Sequence, residues 1–278
     1  MTAPRKALRA AAGAAALAAS LVWLLPVAFI VAASFKPDPD VLADAAGLGA
    51  LWPASPTLDN YRDVFERVEL GRLFLNSLVI NAGIVGGGLV VNSLAAYALA
   101  RLRFPGQTAL LAGVLALLVV PLEAIAVPLF YELTVLGGRD TYWAQIVPFV
   151  ASALSIYMFY SFFLAFPRAL EDAARVDGAG PLRIYVEIVV PASRPAFVAV
   201  AIVTFLLHWG LYLWPLMITS SVSVRPLPLG VASFRTLPPL QWGDLMAFAV
   251  MMVAPAVVLF LALQRWLVAG FATVGLKR

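Results

Sequence analysis

Residues Ala169–Pro191 read ALEDAARVDGAGPLRIYVEIVVP. Long runs of Leu, Val, Phe and Ala lie on both sides, yet this stretch carries Glu171, Asp172, Arg175, Asp177, Arg183 and Glu187. Its punctuation predicts two short helices around a glycine turn. Pro167 lacks an amide hydrogen and suits a first helical turn. Glu171 and Asp172 follow early, where the helix dipole favours anions, and Arg175 sits four residues after Glu171, a favourable spacing. Gly178 can take positive φ and stop that helix. Pro181 opens the second helix, which Pro191 and Pro195 lead into the next apolar run. Ala173 and Ala174 give the first helix a small face that a second body can approach closely.

The surroundings of this stretch set its solvent. The 278-residue chain is 63% hydrophobic and 12% charged, with a mean hydropathy of +0.93. Soluble domains are about 45–50% apolar and roughly 25% charged, so lipid is expected to cover much of this chain. A bilayer span needs about 20 apolar residues in helix. Six such spans are predicted, near 10–35, 73–99, 109–131, 143–163, 197–219 and 245–268, with a polar loop 164–196 between the fourth and fifth. The fold class is therefore all-α, a single polytopic membrane domain. The first apolar run follows Arg5, Lys6 and Arg9 and is about 25 residues long, beyond the 7–15 of a signal-peptide core, so it reads as an uncleaved span. Pro121 and Pro128 fall inside the third.

Orientation follows from Lys and Arg near span ends. Arg5, Lys6, Arg9, Arg101, Arg103, Arg168, Arg175, Arg183, Arg194, Arg265, Lys277 and Arg278 fall on one side, which takes twelve of the nineteen basic residues. That side is predicted to be cytoplasmic, with both termini and the loop 164–196 there. Of the outer loops, 36–72 reads as a folded connector in which Thr57 caps a short helix to about Leu70. The proline-rich loop 220–244 reads as irregular.

Several function classes are excluded. Cysteine is absent, which removes disulfides, zinc-thiolate sites and Cys nucleophiles. His208 is the only histidine, so no nucleophilic triad or histidine metal site is expected, and neither a metal nor another cofactor is expected on the chain. No basic stripe interleaved with aromatics points to nucleic acid. No Gly-x-x-x-x-Gly-Lys-Ser/Thr phosphate loop occurs.

One pattern in the polar loop is specific. Asp172-Ala173-Ala174, three residues, Gly178, nine residues, Ile188, one residue, Val190-Pro191 resembles the EAA signature of ABC-importer permeases, which is Glu-Ala-Ala, three, Gly, nine, Ile, one, Leu-Pro. Asp172 stands for Glu, with Glu171 beside it, and Val190 for Leu. PTLDNYRDVF, LNSLVI, AAYALARLRFPG, AARVDGAGPLRI and QRWLVAGF extend the resemblance along almost the whole chain, towards the carbohydrate-uptake group that includes the maltose permease subunit. The resemblance implies that the loop docks on a cytoplasmic ATPase, with Glu171, Asp172, Ala173, Ala174, Arg175, Asp177 and Gly178 as the coupling residues. It further implies a second permease, two ATPase subunits that carry ATP and Mg, an extracytoplasmic solute-binding protein, and a place in the bacterial inner membrane.

Candidates for a solute pathway are polar groups inside the spans. Ser77, Asn81, Gly88 and Asn92 fall within about 60° of one helix face, at about 100° per residue. They read either as a polar pathway or as interhelical bonding beside the Gly83–Gly87 packing pair. Glu123 is the one acid well inside a predicted span. It reads as a solute-bonding group or as a structural bond. In LLHWGLYLWPLMITSS, His208, Trp209, Tyr212 and Trp214 are candidates for stacking on sugar faces or for an interfacial belt. The family often has Trp-Asn-Glu here, whereas this chain has Trp209-Gly210-Leu211, and those polar roles do not carry over. LYLWPL and PLEAIAVPL also resemble the glycerol-3-phosphate branch. Two further readings stand as alternatives. One is a proton-driven transporter through Glu123 and His208, which predicts inverted repeats that the sequence does not display. The other is a channel or scaffold without energy coupling.

Overall fold

The computed structural model describes residues 3–43, 47–236 and 240–275. Lys277, Arg278, Pro238, Pro239 and the side chains of Arg5 and Lys6 lie outside that description. The described residues are helical and contain no strand. In chain order the helices are α1 (Ala3–Ala33), α2 (Asp38–Ala43), α3 (Asp59–Arg67), α4 (Leu70–Arg101), α5 (Gln107–Leu117), α6 (Leu122–Val135), α7 (Tyr142–Val150) and α8 (Ala153–Ala165). They continue with α9 (Arg168–Val176), α10 (Pro181–Ala192, with a π turn at Tyr185–Val189), α11 (Arg194–Trp209), α12 (Leu213–Ile218), α13 (Val231–Thr236) and α14 (Trp242–Gly275).

Among the described residues, four stretches are long and apolar enough to cross a bilayer: Ala11–Ala33, Leu70–Arg101, Tyr142–Ala165 and Trp242–Arg265. Two bent pairs raise the number to six, α5 with α6 at 101° and α10 with α11 at 78°. The expected third span is thus a broken helix. Pro121 has no N–H to donate and disfavours helix at the residue before it, so α5 ends at Leu117 and α6 restarts behind Pro121. Pro128 stays within α6. The fifth span is also shorter than expected. It runs Arg194–Trp209, stops at Gly210 and resumes as α12, whose first turn holds Pro215. The loop expected to be irregular contains a 3-10 turn at Leu227–Gly230 and α13.

The chain packs as two compact units. The first comprises Met1–Leu70 and Gly230–Ala254. Here the connector after α1 is folded through Asn60, whose buried amide donates to Ser34 O at 2.9 Å and Lys36 O at 2.8 Å, two carbonyls just past the end of α1. Buried Lys36 donates to Gly49 O at 2.6 Å. Arg67 pairs with buried Asp244 at 3.2 Å, and Phe234 packs on Phe248. Thr57 accepts the Asp59 amide at 3.1 Å, but the N-cap position of α3 is Leu58 rather than Thr57, and the helix ends at Arg67 rather than near Leu70.

The second unit comprises Gly71–Leu229 and Pro255–Arg278. Its main core joins α4, α8, α9, α10 and α11 through Ala96, Tyr97, Phe159, Phe163, Ala174, Ile184, Tyr185 and Val200. Phe159 and Phe163 stack with centroids 5.7 Å apart, and the Tyr185 and Ser93 hydroxyls lie 2.6 Å apart. Glycines let α4 press on α7. A Cβ at Gly83 would lie 2.8 Å from Ile146, and one at Gly87 3.1 Å from Val150.

Substituting Gly83→Leu forces these helices apart and is expected to destabilise the protein by about 1–3 kcal/mol. Gly86→Ala, on a face with nothing within 4 Å, is expected to be neutral or stabilising. Thermal unfolding of the two purified variants checks this contrast.

Candidate coupling surface and translocation face

The polar loop forms the helix–turn–helix predicted for it. Pro167 is the N-cap of α9 and Pro181 opens α10. Gly178 has φ +82°, where any Cβ is strained, and turns the chain out of α9. One face of α9 is sunk into the unit through Ala174 and Glu171. The other presents Asp172, Ala173, Val176 and Asp177, with Val176 87% exposed although apolar.

The seven predicted coupling residues therefore divide. Glu171 faces inward, with its side chain 2% exposed and Oε1 3.0 Å from Arg101 Nε. Arg101 closes the last turn of α4, donates from Nη2 to Phe166 O and lies over the Phe166 ring at 5.9 Å. Arg175 straddles both acids, with Nη2 3.3 Å from Glu171 Oε2 and Nη1 2.7 Å from Asp172 Oδ1. A polar cleft of about 290 Å³ is lined by Arg101, Arg103, Arg168, Glu171, Asp172 and Arg175. Sequence reasoning missed Arg101 as a site residue. It stands in AAYALARLRFPG, where a charge ending a long apolar helix was the available signal.

The pathway candidates divide too. Asn81, His208, Trp209 and Trp214 line one void of about 10 Å³, together with Ser77 and Gln145, room for a single water. Asn81 donates to Ser77 O, while Asn81 Oδ1 and Gln145 Oε1 are buried without a hydrogen-bond partner. His208 donates from Nδ1 to Thr204 O at 2.7 Å, which leaves Nε2 as an acceptor. Trp209 stacks on Phe205, and fully buried Trp214 donates to Ala144 O at 3.0 Å. An apolar cleft of about 360 Å³ adjoins Asn81, lined by Leu78, Val85, Val198, Phe205 and Leu259 among others.

The other three stand apart. Asn92 bonds both sides of the α7–α8 break, donating to Val150 O and accepting the Ser152 amide, each at 2.9 Å. Glu123 is exposed in the first turn of α6. Tyr212 is exposed at the α11–α12 break. Gln145 was missed, although a lone amide in the apolar run YWAQIVPFV is a legible signal. Among the described residues no three His, Asp or Glu side chains gather as metal ligands.

At the N-terminal end of α4, the segment after α12 is tied down by side chains. Asn76 donates to Val222 O and Arg225 O, Gln145 to Val224 O, and Ser77 Oγ accepts the Leu227 amide. Asp140, at φ +55°, accepts the Ser221 and Ser220 amides at 2.8 and 2.6 Å.

Residues 83–273 match the family model described as binding-protein-dependent transport system inner membrane component. The chain is 32% identical to the arabinooligosaccharides transport system permease protein AraQ of Halalkalibacterium halodurans, over 93% of its own length and 92% of that protein. It is 33% identical to the trehalose transport system permease protein SugB of Mycobacterium tuberculosis, over 91% and 92% of the two chains. It is 35% identical to the sn-glycerol-3-phosphate transport system permease protein UgpE of Yersinia pestis, over 72% of each. A crystal structure of a bacterial ABC transporter involved in the import of the acidic polysaccharide alginate shares the fold, with a TM-score of 0.82 at 18% identity over 95% of this chain and 98% of that one.

The amides of Ser221 and Ser220 hold the Asp140 carboxyl below its ordinary pKa. A lowered folded-state pKa stabilises at pH above the unfolded value and is lost as pH falls through the folded one. Exchange protection at Ser220 and Ser221, corrected for intrinsic rates, is therefore expected to be flat from about pH 8 to 5 and to decline only below about 3.9. Asp140→Asn tolerates the same backbone and should abolish that decline.

Proposed function

The chain belongs to the family of binding-protein-dependent transport system inner membrane components, and from that premise we propose that it is one permease half of an ATP-driven importer for a sugar or related polyol. It is a transport subunit, not an enzyme. The observation that carries the coupling reading is α9: a short polar helix, ended by left-handed Gly178, that presents Asp172, Ala173 and exposed Val176 outward while Glu171 is held inward. Such a surface suits a soluble partner that moves. In this reading α9 and α10 face the cytoplasm with both termini, and α9 seats in a groove of one of two ATPase subunits, which bind ATP and Mg. A second permease completes the pathway, and an extracytoplasmic binding protein delivers solute to the opposite end.

The substrate class rests on relatives. AraQ and SugB are named for saccharide transport and align over more than nine-tenths of this chain. UgpE aligns over 72%, and glycerol-3-phosphate is the runner-up. Of the pathway candidates, Asn81 and His208 offer hydrogen bonds suited to hydroxyl groups and Trp209 an aromatic surface, whereas Asn92 and Trp214 already have structural partners.

The test is copurification of the ATPase with the tagged permease, followed by solute-stimulated ATP hydrolysis in proteoliposomes. Ala173→Trp, on the exposed face, is expected to lower ATPase recovery by about fivefold or more, since overfilling a close contact costs about 1–3 kcal/mol. Uptake driven by a proton gradient without ATP would overturn the reading in favour of a secondary transporter.

A further inference from the structure

We propose that Arg101 is the positioning residue that carries movement between α9 and the membrane-spanning helix α4. The inference rests on the coupling reading above and adds to it a residue outside the helix–turn–helix itself. Arg101 ends a 32-residue helix and its side chain is only 3% exposed. Its guanidinium reaches two further places in the chain, Glu171 in α9 and the Phe166 carbonyl just before Pro167. One planar group thus ties the end of α4, the α8–α9 junction and α9 itself.

The apolar contacts beneath α9 do not fix its direction in this way. Ala174 rests in a cluster with Ala96, Tyr97 and Ala100 of α4, and methyl groups slide with little directional preference. The Arg101 guanidinium holds two partners at once, an ion pair with Glu171 and a hydrogen bond to the Phe166 carbonyl, and so restrains α9 from two sides. Glu171 is buried, so it cannot exchange Arg101 for water at low cost. Arg175, its other cation, is 48% exposed and is shared with Asp172. A pull on α9 therefore reaches α4 through Arg101 as a load on its last turn. Lysine offers a single ammonium and can satisfy only one of the two acceptors in the same geometry.

The test compares wild type, Arg101→Ala, Arg101→Lys and Glu171→Gln with two readouts. In the assembled transporter, uptake per ATP hydrolysed is expected to fall about tenfold in Arg101→Ala and about two- to threefold in Arg101→Lys, the range for residues that carry coupling between sites. In the full chain alone, spin labels at exposed Val176 and Leu94 report the α9–α4 distance. The distribution is expected to be narrow in wild type and broad in Arg101→Ala and Glu171→Gln. Wild-type uptake per ATP in an assembled Arg101→Ala complex overturns the proposal, as does an unbroadened distance distribution. Should Arg101→Ala fail to fold, Arg101→Lys and Glu171→Gln decide by the same two criteria. If wild type itself shows no ATP-driven uptake, the coupling reading fails, and the claim that Arg101 transmits movement to α4 falls with it whatever the label distances show.

Discussion

The second unit is organised by one buried ion pair, Arg101 with Glu171. Taking both charges from water is costly, and their attraction offsets that cost only if the remaining polar atoms find partners. Arg101 has the Phe166 carbonyl and Glu171 has Arg175. Removing Glu171 would leave buried Arg101 without its carboxylate, and removing Arg101 would leave buried Glu171 only the half-exposed Arg175, at a cost of up to about 3–5 kcal/mol. Most polar residues of α9 could be solvated in any orientation of the helix. This pair permits only one, with Ala174 inward and Ala173 outward, and so it determines which face of α9 is offered to a partner.

A related constraint governs the broken helices. Each break frees backbone groups that hydrocarbon cannot hydrogen-bond. Between α7 and α8 a single asparagine meets both needs: Asn92 donates to the last carbonyl of α7 and accepts an amide from the residue before α8. At the far end of α4, Asn76, Ser77 and Gln145 perform the same service for the segment Val222–Leu227. Polar side chains in this apolar chain therefore stand largely where the backbone is irregular.

That explains which features the sequence made legible. The turn at Gly178, the proline starts of α9 and α10, the Glu171–Arg175 spacing and the Gly83–Gly87 contact are local consequences of residue type, and each appears in the structure where expected. The division of labour between neighbours Glu171 and Asp172 was not legible. It depends on Arg101, seventy residues earlier, and a local pattern carries no such information. The break before Pro121 was underread for a different reason: Pro26, Pro128, Pro148 and Pro255 all sit inside continuous helices, so proline alone did not mark which helix would bend. Trp214 shows the same limit. Its composition fits a sugar-stacking or belt residue equally well, and only the Ala144 carbonyl at 3.0 Å shows it to be packed and bonded within the unit.

The small void at Asn81 constrains how any solute could pass. Ligand sites for drug-sized molecules occupy about 300–1,000 Å³, and this polar cluster encloses about 10 Å³. In this conformation it admits water and excludes a sugar. Widening at α4 against α7 would have to separate Gly83 from Ile146 and Gly87 from Val150, contacts so close that the glycines leave no slack, and would strip Asn92 from the α7–α8 break. The opposite wall is softer. Phe74 meets Trp209 edge-on at 5.9 Å, and the apolar cleft beside Asn81 already parts α4 from α11 at Val85, Val198 and Phe205. Opening between α4 and α11 would widen the apolar cleft that Asn81 already lines and bring Asn81 Oδ1 to it. One wall of such an opening is α4, the helix whose last turn is tied to α9.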